Sequence, residues 1–201
     1  HTEFKDSELG RIPKSWRVLS LREIAEVVNG RAYKLTEWED SGIPVIRLQN
    51  LTQTGGSFYY SNLKLPDKQY CYNGDLLYMW SASFGAYIWW GDKAIFHYHI
   101  WKIIPDEKNI RKLFLYHYLG KITEEWKKNT SGMAMLHLTK SGMESHQIPI
   151  PNLEEQSKIV QIFSALNDRI SNLEKKLHQT QSLKKSLMQD LLTGKVRVSV
   201  N

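Results

Sequence analysis

The feature that most constrains this chain is a helical pattern that fills its last quarter. Residues 152–193 contain no proline and no glycine, and their apolar side chains recur at alternating steps of four and three residues. This spacing predicts a single long α-helix with one apolar stripe, as in a coiled coil. At about 1.5 Å per residue, the helix would be about 60 Å long. The stripe comprises Ile159, Phe163, Leu166, Ile170, Leu173, Leu177, Leu187 and Leu191.

A stripe of this length needs a second helix to cover it. A domain of about 150 residues cannot bury one whole side of such a rod, and the sequence contains no second heptad segment. We therefore expect these eight residues, the seam, to pair with a helix from another copy or from a missing segment; packing within the chain is the alternative. Thr180 and Lys184 interrupt the seam with polar groups, which set register or orientation in coiled coils.

The preceding residues, 1–151, are predicted to form one globular domain, and residues 194–201 a short tail. Turn signals separate short β-rich runs, and a helical apolar period marks residues 110–127 as a helix. Prolines 149 and 151 predict an extended approach to the long helix. The expected fold class is α+β. Strands are expected at 43–48, 76–80, 88–90 and 94–104, and a loop at 49–57.

The charge balance permits a polyanionic partner without requiring one. The chain has 27 Lys and Arg against 21 Asp and Glu, a net charge of +6, and the excess is spread along the sequence. The single cysteine, Cys71, excludes an internal disulfide and suits a reducing compartment, which we expect to be the cytoplasm. Neither a secretory signal nor a membrane-spanning apolar run is recognisable, so no membrane partner is expected.

The sequence offers no specific catalytic motif. Glycine-rich phosphate loops and the Asn/Asp-Pro-Pro-aromatic tetrapeptide of adenine methyltransferases do not occur. Asp67 and the run 106–108 supply the carboxylates and lysine of a magnesium-dependent nuclease, but both follow a proline at a predicted turn, where aspartate is common. Ser81 and Ser83 lack the surroundings of a nucleophile elbow. We therefore expect a non-catalytic chain, with a nuclease as a minor alternative.

His97 and His99 are a pair whose spacing a metal ion could use. Two residues apart in a predicted strand, they would share one face. The sequence identifies no third ligand nearby, and aromatic-rich strands commonly carry histidine as a polar-tipped core residue. We expect no metal and no other cofactor in this chain.

Polar and aromatic loops contain the candidate DNA-binding residues. Segments 49–60, 80–87 and 127–140 combine amides that can recognise adenine edges, hydroxyls that can bind phosphates, lysines and aromatic rings. Loops of this composition also occur for turn chemistry alone. The candidates are Arg31, Lys34, Gln49, Asn50, Gln53, Tyr59, Ser81, Ser83, Phe84, Tyr87, Lys128, Thr130, Ser131 and His137.

Five segments, in order, resemble the DNA-specificity subunit of type I restriction–modification enzymes. Leu-Gly-Arg-Ile-Pro-Lys-Ser-Trp at 9–16 is similar to the start of that family's recognition domain, and 42–47 and 74–77 to segments before and within its strands. Residues 148–160 are similar to the entry into its spacer helix, and 191–198 to the segment that often comes after that helix. The resemblance runs along most of the chain.

The resemblance implies a function that the residues alone do not. Family members contain two target-recognition domains, each followed by a helix, and the two helices pair antiparallel so that a bipartite site in double-stranded DNA is recognised. Methyltransferase (modification) subunits methylate adenine with S-adenosylmethionine, and an ATP-driven restriction subunit cleaves. S-adenosylmethionine, Mg²⁺ and ATP are thus expected on partner subunits. The loops around Ser81–Tyr87 and Thr130–His137 fall where such domains approach DNA.

One domain and one helix are half of that pattern. The chain is therefore expected to be either a half-length subunit that forms a homodimer through the helix, or a piece of a longer subunit whose second half supplies the missing helix. A symmetric dimer would recognise a palindromic bipartite site. The alternative function is a non-catalytic scaffold that assembles partners through its long helix and binds a peptide through its domain.

Overall fold

The structure is a computed structural model that describes residues 1–52, 56–129 and 138–199. The chain divides into two compact units, His1–Ser157 and Lys158–Asn201. The first unit includes the first turn of the long helix, because that turn is bonded to the domain. The α+β class predicted from the sequence is confirmed.

The first unit contains two four-stranded sheets and two two-stranded ones. In strand order they are β6-β5-β10-β7, β4-β11-β8-β9, β1-β2 and β12-β3, and only the β5–β10 pair is parallel among the described strand pairs. The strands are β1 (Phe4–Ser7), β2 (Gly10–Pro13), β3 (Arg17–Ser20), β4 (Ala25–Asn29), β5 (Ile43–Ile46), β6 (Tyr59–Ser61), β7 (Tyr70–Cys71), β8 (Leu76–Met79), β9 (Gly85–Ile88), β10 (Ala94–Phe96), β11 (Ile100–Pro105) and β12 (Gln147–Ile150).

Five helices accompany the sheets in the described residues. The predicted helix over 110–127 is observed two residues later, as α3, and the helix predicted at 152–193 is observed as the 40-residue α5. The helices are α1 (Leu21–Ile24), α2 (Leu48–Thr52), α3 (Lys112–Asn129), α4 (Lys140–Ser145) and α5 (Leu153–Leu192).

The two larger sheets share one core. A buried cluster takes Ile46 and Phe96 from the first sheet and Leu77, Met79 and Ile100 from the second. All four residues of β8 are buried, because both of its faces are covered; a continuous apolar run is the sequence signature of such a strand.

Three local predictions were wrong. Residues 94–104 were expected to form strand throughout, but 97–99 form a bridge and turn where the chain leaves the first sheet and enters the second. The loop predicted at 49–57 begins with the helix α2, which Asn50 stabilises by accepting a hydrogen bond from Arg47 N at 2.9 Å. The strand predicted at 88–90 lies at Gly85–Ile88 instead, since Trp89 and Trp90 enter a turn.

The start of α5 is capped and attached to the domain. Asn152 Oδ1 accepts a hydrogen bond from Glu155 N at 2.9 Å, which satisfies one of the free N–H groups at the helix N-terminus. Trp16 Nε1 donates to the Glu155 carboxylate, at 3.1 and 3.2 Å from its two oxygens. The tryptophan that ends segment 9–16 therefore holds the first turn of the helix.

Gln156 makes the strongest attachment in this turn. Its side chain is fully buried and accepts a hydrogen bond from Arg111 N at 2.8 Å. Its amide nitrogen donates to Asn109 O at 3.1 Å and to Pro151 O at 2.9 Å. One side chain thus satisfies three backbone groups between the sheet, α3 and α5.

The second unit is the rest of α5 and the tail. Every seam residue from Phe163 onward is exposed; Leu173, at the middle of the helix, is 58% exposed. Gly194, with a φ of +74°, follows the helix in the left-handed conformation, and its N–H donates to Leu191 O at 3.3 Å. The helix therefore ends where the sequence pattern predicts.

Candidate nucleic-acid interface

Four chain segments converge at one end of the two large sheets. The turn at 97–99, between β10 and β11, is bonded through His97 N to Ile46 O at 2.9 Å and through His99 O to Trp80 N at 3.2 Å. Tyr98 N donates to Arg31 O at 3.0 Å. The residues after β4, β5 and β8 are thereby fixed around this turn.

Gly30 makes this convergence possible. A Cβ atom at this position would lie 2.2 Å from His97 O, a backbone atom. Only glycine allows the two backbones to approach so closely. The contact sets where Arg31 enters the site.

A continuous group of aromatic rings lies at this end. Tyr33 and Trp38 stack at 4.9 Å between ring centroids, and Trp38 lies 4.6 Å from Tyr59. Trp38 and Tyr33 also pack on the buried side chains of Val45 and Ile95, so the sheet supports the rings from below. The group, which we call the aromatic face, comprises Tyr33, Trp38, Tyr59, Trp80, His97, Tyr98 and His99.

Two arginines accompany the aromatic face. The Arg31 guanidinium lies over the Tyr33 ring at 4.7 Å and donates to both carboxylate oxygens of Glu37, at 2.5 and 3.2 Å. This bond holds the pKa of Glu37 below its usual range. The Arg47 guanidinium lies over the Tyr59 ring at 4.0 Å. Cations over aromatic rings form surfaces that bind nucleic-acid bases and backbone.

The two histidines are neutral members of this face. Burial lowers the pKa of His97 to about 4, with smaller contributions from the charges of His99 and Arg47. Burial also lowers the pKa of His99. Their rings are 5.3 Å apart. Over the part of the chain that the structure describes, no group of three His, Cys, Asp or Glu side chains has the arrangement of a metal site.

The predicted residues near α2 have different surroundings. Arg31 and Tyr59 both belong to the face or its immediate edge, as described above. Lys34 is exposed, and its N–H donates to Glu37. Gln49 is half-buried, whereas the Asn50 amide donates to Gly56 O at 3.2 Å and so closes its own loop. Asn50 therefore serves its loop in this structure.

The predicted residues at 80–87 divide into two sets. Ser81 and Ser83 lie in the turn that follows Trp80, beside the aromatic face, and Ala82 between them has a φ of +57°, which costs a non-glycine residue about 1 kcal/mol or more. Phe84 is half-buried next to them. Tyr87 lies within β9 and packs against the shared core. The turn is thus adjacent to the face, and Tyr87 contributes to its support.

The last predicted set lies largely beyond the described ranges. Gln53, Thr130, Ser131 and His137 fall outside the residues that the structure describes. Lys128 lies in the last turn of α3, where a cation favours the helix dipole, and its side chain is exposed.

The sequence prediction missed Tyr33, Trp38, Arg47 and Tyr98. Each lies next to a predicted residue in space, and Arg47 lies only two positions before Gln49. The available signal was the density of aromatic residues at 33–38 and 97–101, which composition alone does not distinguish from core.

The carboxylates of the nuclease alternative have structural roles. Asp106 accepts hydrogen bonds from Lys108 N at 3.1 Å and from the Asn109 amide at 2.8 Å, which lowers its pKa. Asp67 accepts a hydrogen bond from the Tyr72 hydroxyl at 3.1 Å. Both act as turn residues, as the prolines before them indicate.

The family profile described as "Type I restriction modification DNA specificity domain" matches residues 13–181. The chain belongs to this family. The match takes in the domain and most of α5, so the predicted family is confirmed. None of the helices among the described residues is both long and apolar enough to span a membrane.

Specificity subunits of other organisms are similar to this chain. It is 28% identical over 187 residues to the type I restriction enzyme EcoBI specificity subunit of Escherichia coli, covering 92% of this chain and 39% of that protein. It is 26% identical over 217 residues to the MjaVIII specificity subunit of Methanocaldococcus jannaschii, covering 98% of this chain and 50% of that one. The chain thus spans half the length, or less, of these curated relatives.

Solved structures share the fold. The HsdS subunit from Thermoanaerobacter tengcongensis has a TM-score of 0.72 and 19% identity, covering 94% of this chain and 46% of that one. The type I S subunit from M. genitalium has a TM-score of 0.54 and 16% identity, covering 87% and 45%. At these identities the likeness establishes the fold.

Proposed function

We propose that the chain is a DNA-specificity subunit of a type I restriction–modification system, or half of one, and directs adenine methylation and restriction by partner subunits at a bipartite site. The observation that carries the proposal is the continuous family match over residues 13–181, which includes a recognition-type domain and its following helix. The chain itself is proposed to recognise DNA and to catalyse nothing.

The exposed seam supports pairing of α5 with a second such helix. Full burial of a leucine or isoleucine side chain contributes about 1.5–3 kcal/mol, and six of the eight seam residues are leucine or isoleucine with exposed side chains. A seam of this strength offsets the entropy lost on association. We propose that a second copy, or the other half of a longer subunit, supplies the antiparallel helix and a second recognition domain.

Apolar residues outside the seam support contact with further helices. Ile162, Leu183, Met188 and Leu192 are exposed, and Leu192 is 80% exposed. Because a helix turns by about 100° per residue, Leu183 and Leu192 lie on opposite flanks of the seam. A two-stranded coil leaves such flanks in water. We propose that helices of the modification subunits cover them.

The aromatic face and its arginines are the proposed DNA-contacting surface of the domain, together with the turn at 81–83. S-adenosylmethionine, Mg²⁺ and ATP are proposed to act on the modification and restriction subunits. The proposed compartment is the cytoplasm. Cys71 is buried and its pKa is raised to about 12, chiefly by burial, so it takes no part in thiol chemistry.

Retention of DNA by the assembled complex tests the proposal. The chain is mixed with its modification subunits, and binding to duplexes is measured by gel shift between low and physiological salt. We expect sequence-preferring binding that weakens as salt rises. A complex that forms but retains no DNA would contradict DNA recognition and favour the scaffold alternative.

A pair of tyrosine variants localises the binding surface. Tyr59 and Tyr72 are similarly exposed, at 42% and 39%, but only Tyr59 belongs to the aromatic face. Tyr59→Ala is expected to weaken DNA binding by about tenfold, because base–aromatic contacts contribute about 1–3 kcal/mol. Tyr72→Ala is expected to leave binding within about twofold of wild type. Equal effects of the two would refute this location.

A further inference from the structure

Arg47 holds a fixed guanidinium at the edge of the aromatic face. It follows β5, and its N–H is bonded to Asn50 Oδ1 at 2.9 Å, which fixes the backbone. The guanidinium lies over the Tyr59 ring at 4.0 Å, and Nη2 donates to Ser57 O at 3.2 Å. The plane of the group is therefore set by a ring on one side and a carbonyl at one corner.

Most of the donors of this guanidinium are not used by the protein. Within residues 1–52, 56–129 and 138–199, Nε of Arg47 is buried without a hydrogen-bond partner. A buried donor left unsatisfied lowers stability, so such groups call for an explanation beyond packing. Arg31 differs, because both of its terminal nitrogens are bonded to Glu37.

The charge of Arg47 is also uncompensated by a carboxylate. The ion pairs found among the described residues do not include Arg47, whereas Arg31 is paired with Glu37. The titratable side chain that lies beside it on the 97–99 turn is His97, whose low pKa leaves it neutral near pH 7. The group therefore presents an oriented positive charge at a surface without an acidic neighbour.

We propose that Arg47 is a specificity-determining residue that recognises a guanine through the N7 and O6 acceptors of its major-groove edge. The inference rests on the proposed function. A planar guanidinium held against a ring presents its remaining donors as a fork, and guanine offers the pair of acceptors that such a fork binds. An exposed lysine such as Lys34 suits a phosphate equally well without fixed geometry, so a stacked arginine is unnecessary for phosphate contact alone.

The DNA motif selected by the complex tests this assignment. The full chain, assembled with its modification subunits, is used to select duplexes from a randomised library, in parallel for wild type, Arg47→Lys and Arg47→Ala. We expect both variants to lose preference for one G·C pair in each half-site by about tenfold or more, while the rest of the motif is kept.

The matched control is Arg11→Lys. Arg11 also lies over an aromatic ring, 5.0 Å from the centre of the Phe4 ring, but on the β1–β2 hairpin. This variant is expected to select the wild-type motif. Arg47→Lys keeps the positive charge, so it supplies the readout even if Arg47→Ala unfolds, and the melting temperatures of all variants are measured beside the selection.

Each result distinguishes the assignment from the proposed function. A wild-type complex that selects no motif contradicts the proposed function itself. A wild-type motif that Arg47→Lys leaves unchanged overturns only the role of Arg47 in guanine recognition. Uniform weakening on all sequences by Arg47→Ala, with a smaller salt dependence and an unchanged motif, assigns Arg47 to a phosphate and likewise overturns the guanine assignment.

Discussion

Replacement of Gln156 is expected to destabilise the domain more than any surface change in α5. The side chain is fully buried and makes three hydrogen bonds, to Arg111 N, Asn109 O and Pro151 O. Gln156→Met keeps the length and removes all three. At about 1 kcal/mol for each bond, the free energy of unfolding should fall by about 3 kcal/mol. For a unit of this size, that lowers the melting temperature by roughly 6–12 °C.

Urea unfolding followed by tryptophan fluorescence measures this loss. The chain has 7 tryptophans, and the last of them is Trp126, so the signal reports the first unit. The midpoint should fall without a change in slope. The matched control is Gln161→Met, since Gln161 is exposed in the same helix; its free energy of unfolding should stay within about 0.5 kcal/mol of wild type. Equal midpoints for the two variants would refute the reasoning.

Gln156→Glu separates the acceptor from the donors. The carboxylate still accepts from Arg111 N, but it meets two carbonyl oxygens, Asn109 O and Pro151 O, to which the amide donated. A buried carboxylate in this position favours its protonated form. The variant should therefore be most unstable above neutral pH and regain stability as the pH falls, when protonation restores one donor.

Three further predictions concern the helix, the histidine and the glycines. Leu173→Asp should lower the mass measured by light scattering if α5 pairs between copies, whereas Ser171→Asp, outside the seam, should not; an unchanged mass at matched concentration favours a piece of a longer subunit. Because burial lowers the pKa of His97 from 6.5 to about 4, the folded state binds fewer protons than the unfolded state in this range. Stability should therefore fall as the pH drops from about 6.5 to 4, by roughly 1–2 kcal/mol after solvent screening, and His97→Gln should flatten that fall in urea midpoints. Gly30→Ala should cost about 3 kcal/mol or more, since its Cβ meets His97 O, while Gly120→Ala, with no atom within 4 Å, should gain up to about 1 kcal/mol; similar melting temperatures for both would contradict the close approach.

Local patterns predicted the elements whose surroundings are repetitive. Helix α5 follows from its heptads and Gly194, and β8 follows from a continuous apolar run bounded by the Asn73–Gly74 turn. The prediction of one strand across 94–104 was wrong, because the apolar pattern does not record that the chain changes sheets at His97. That change depends on backbone contacts from β4 and β5, which are distant in sequence.

The candidate site was predictable only in part, for the same reason. Arg31, Tyr59, Ser81 and Ser83 were selected by residue type, and the structure places them at or beside the aromatic face. Arg47 was not selected, since an arginine after a strand is ordinary in sequence; its importance arises from the Tyr59 ring and the Ser57 carbonyl. Asn50 has a suitable side chain for a base, but its loop occupies the amide.

The sequence by itself determined the long helix, its exposed seam and hence the need for a partner, because periodicity is a one-dimensional property and a 40-residue stripe has nowhere else to go. The tertiary structure alone decided how the helix is attached, through Gln156 and Trp16, and which rings and arginines meet at the end of the sheets. These contacts join residues that are up to 139 positions apart, and short-range patterns contain no information on such distances.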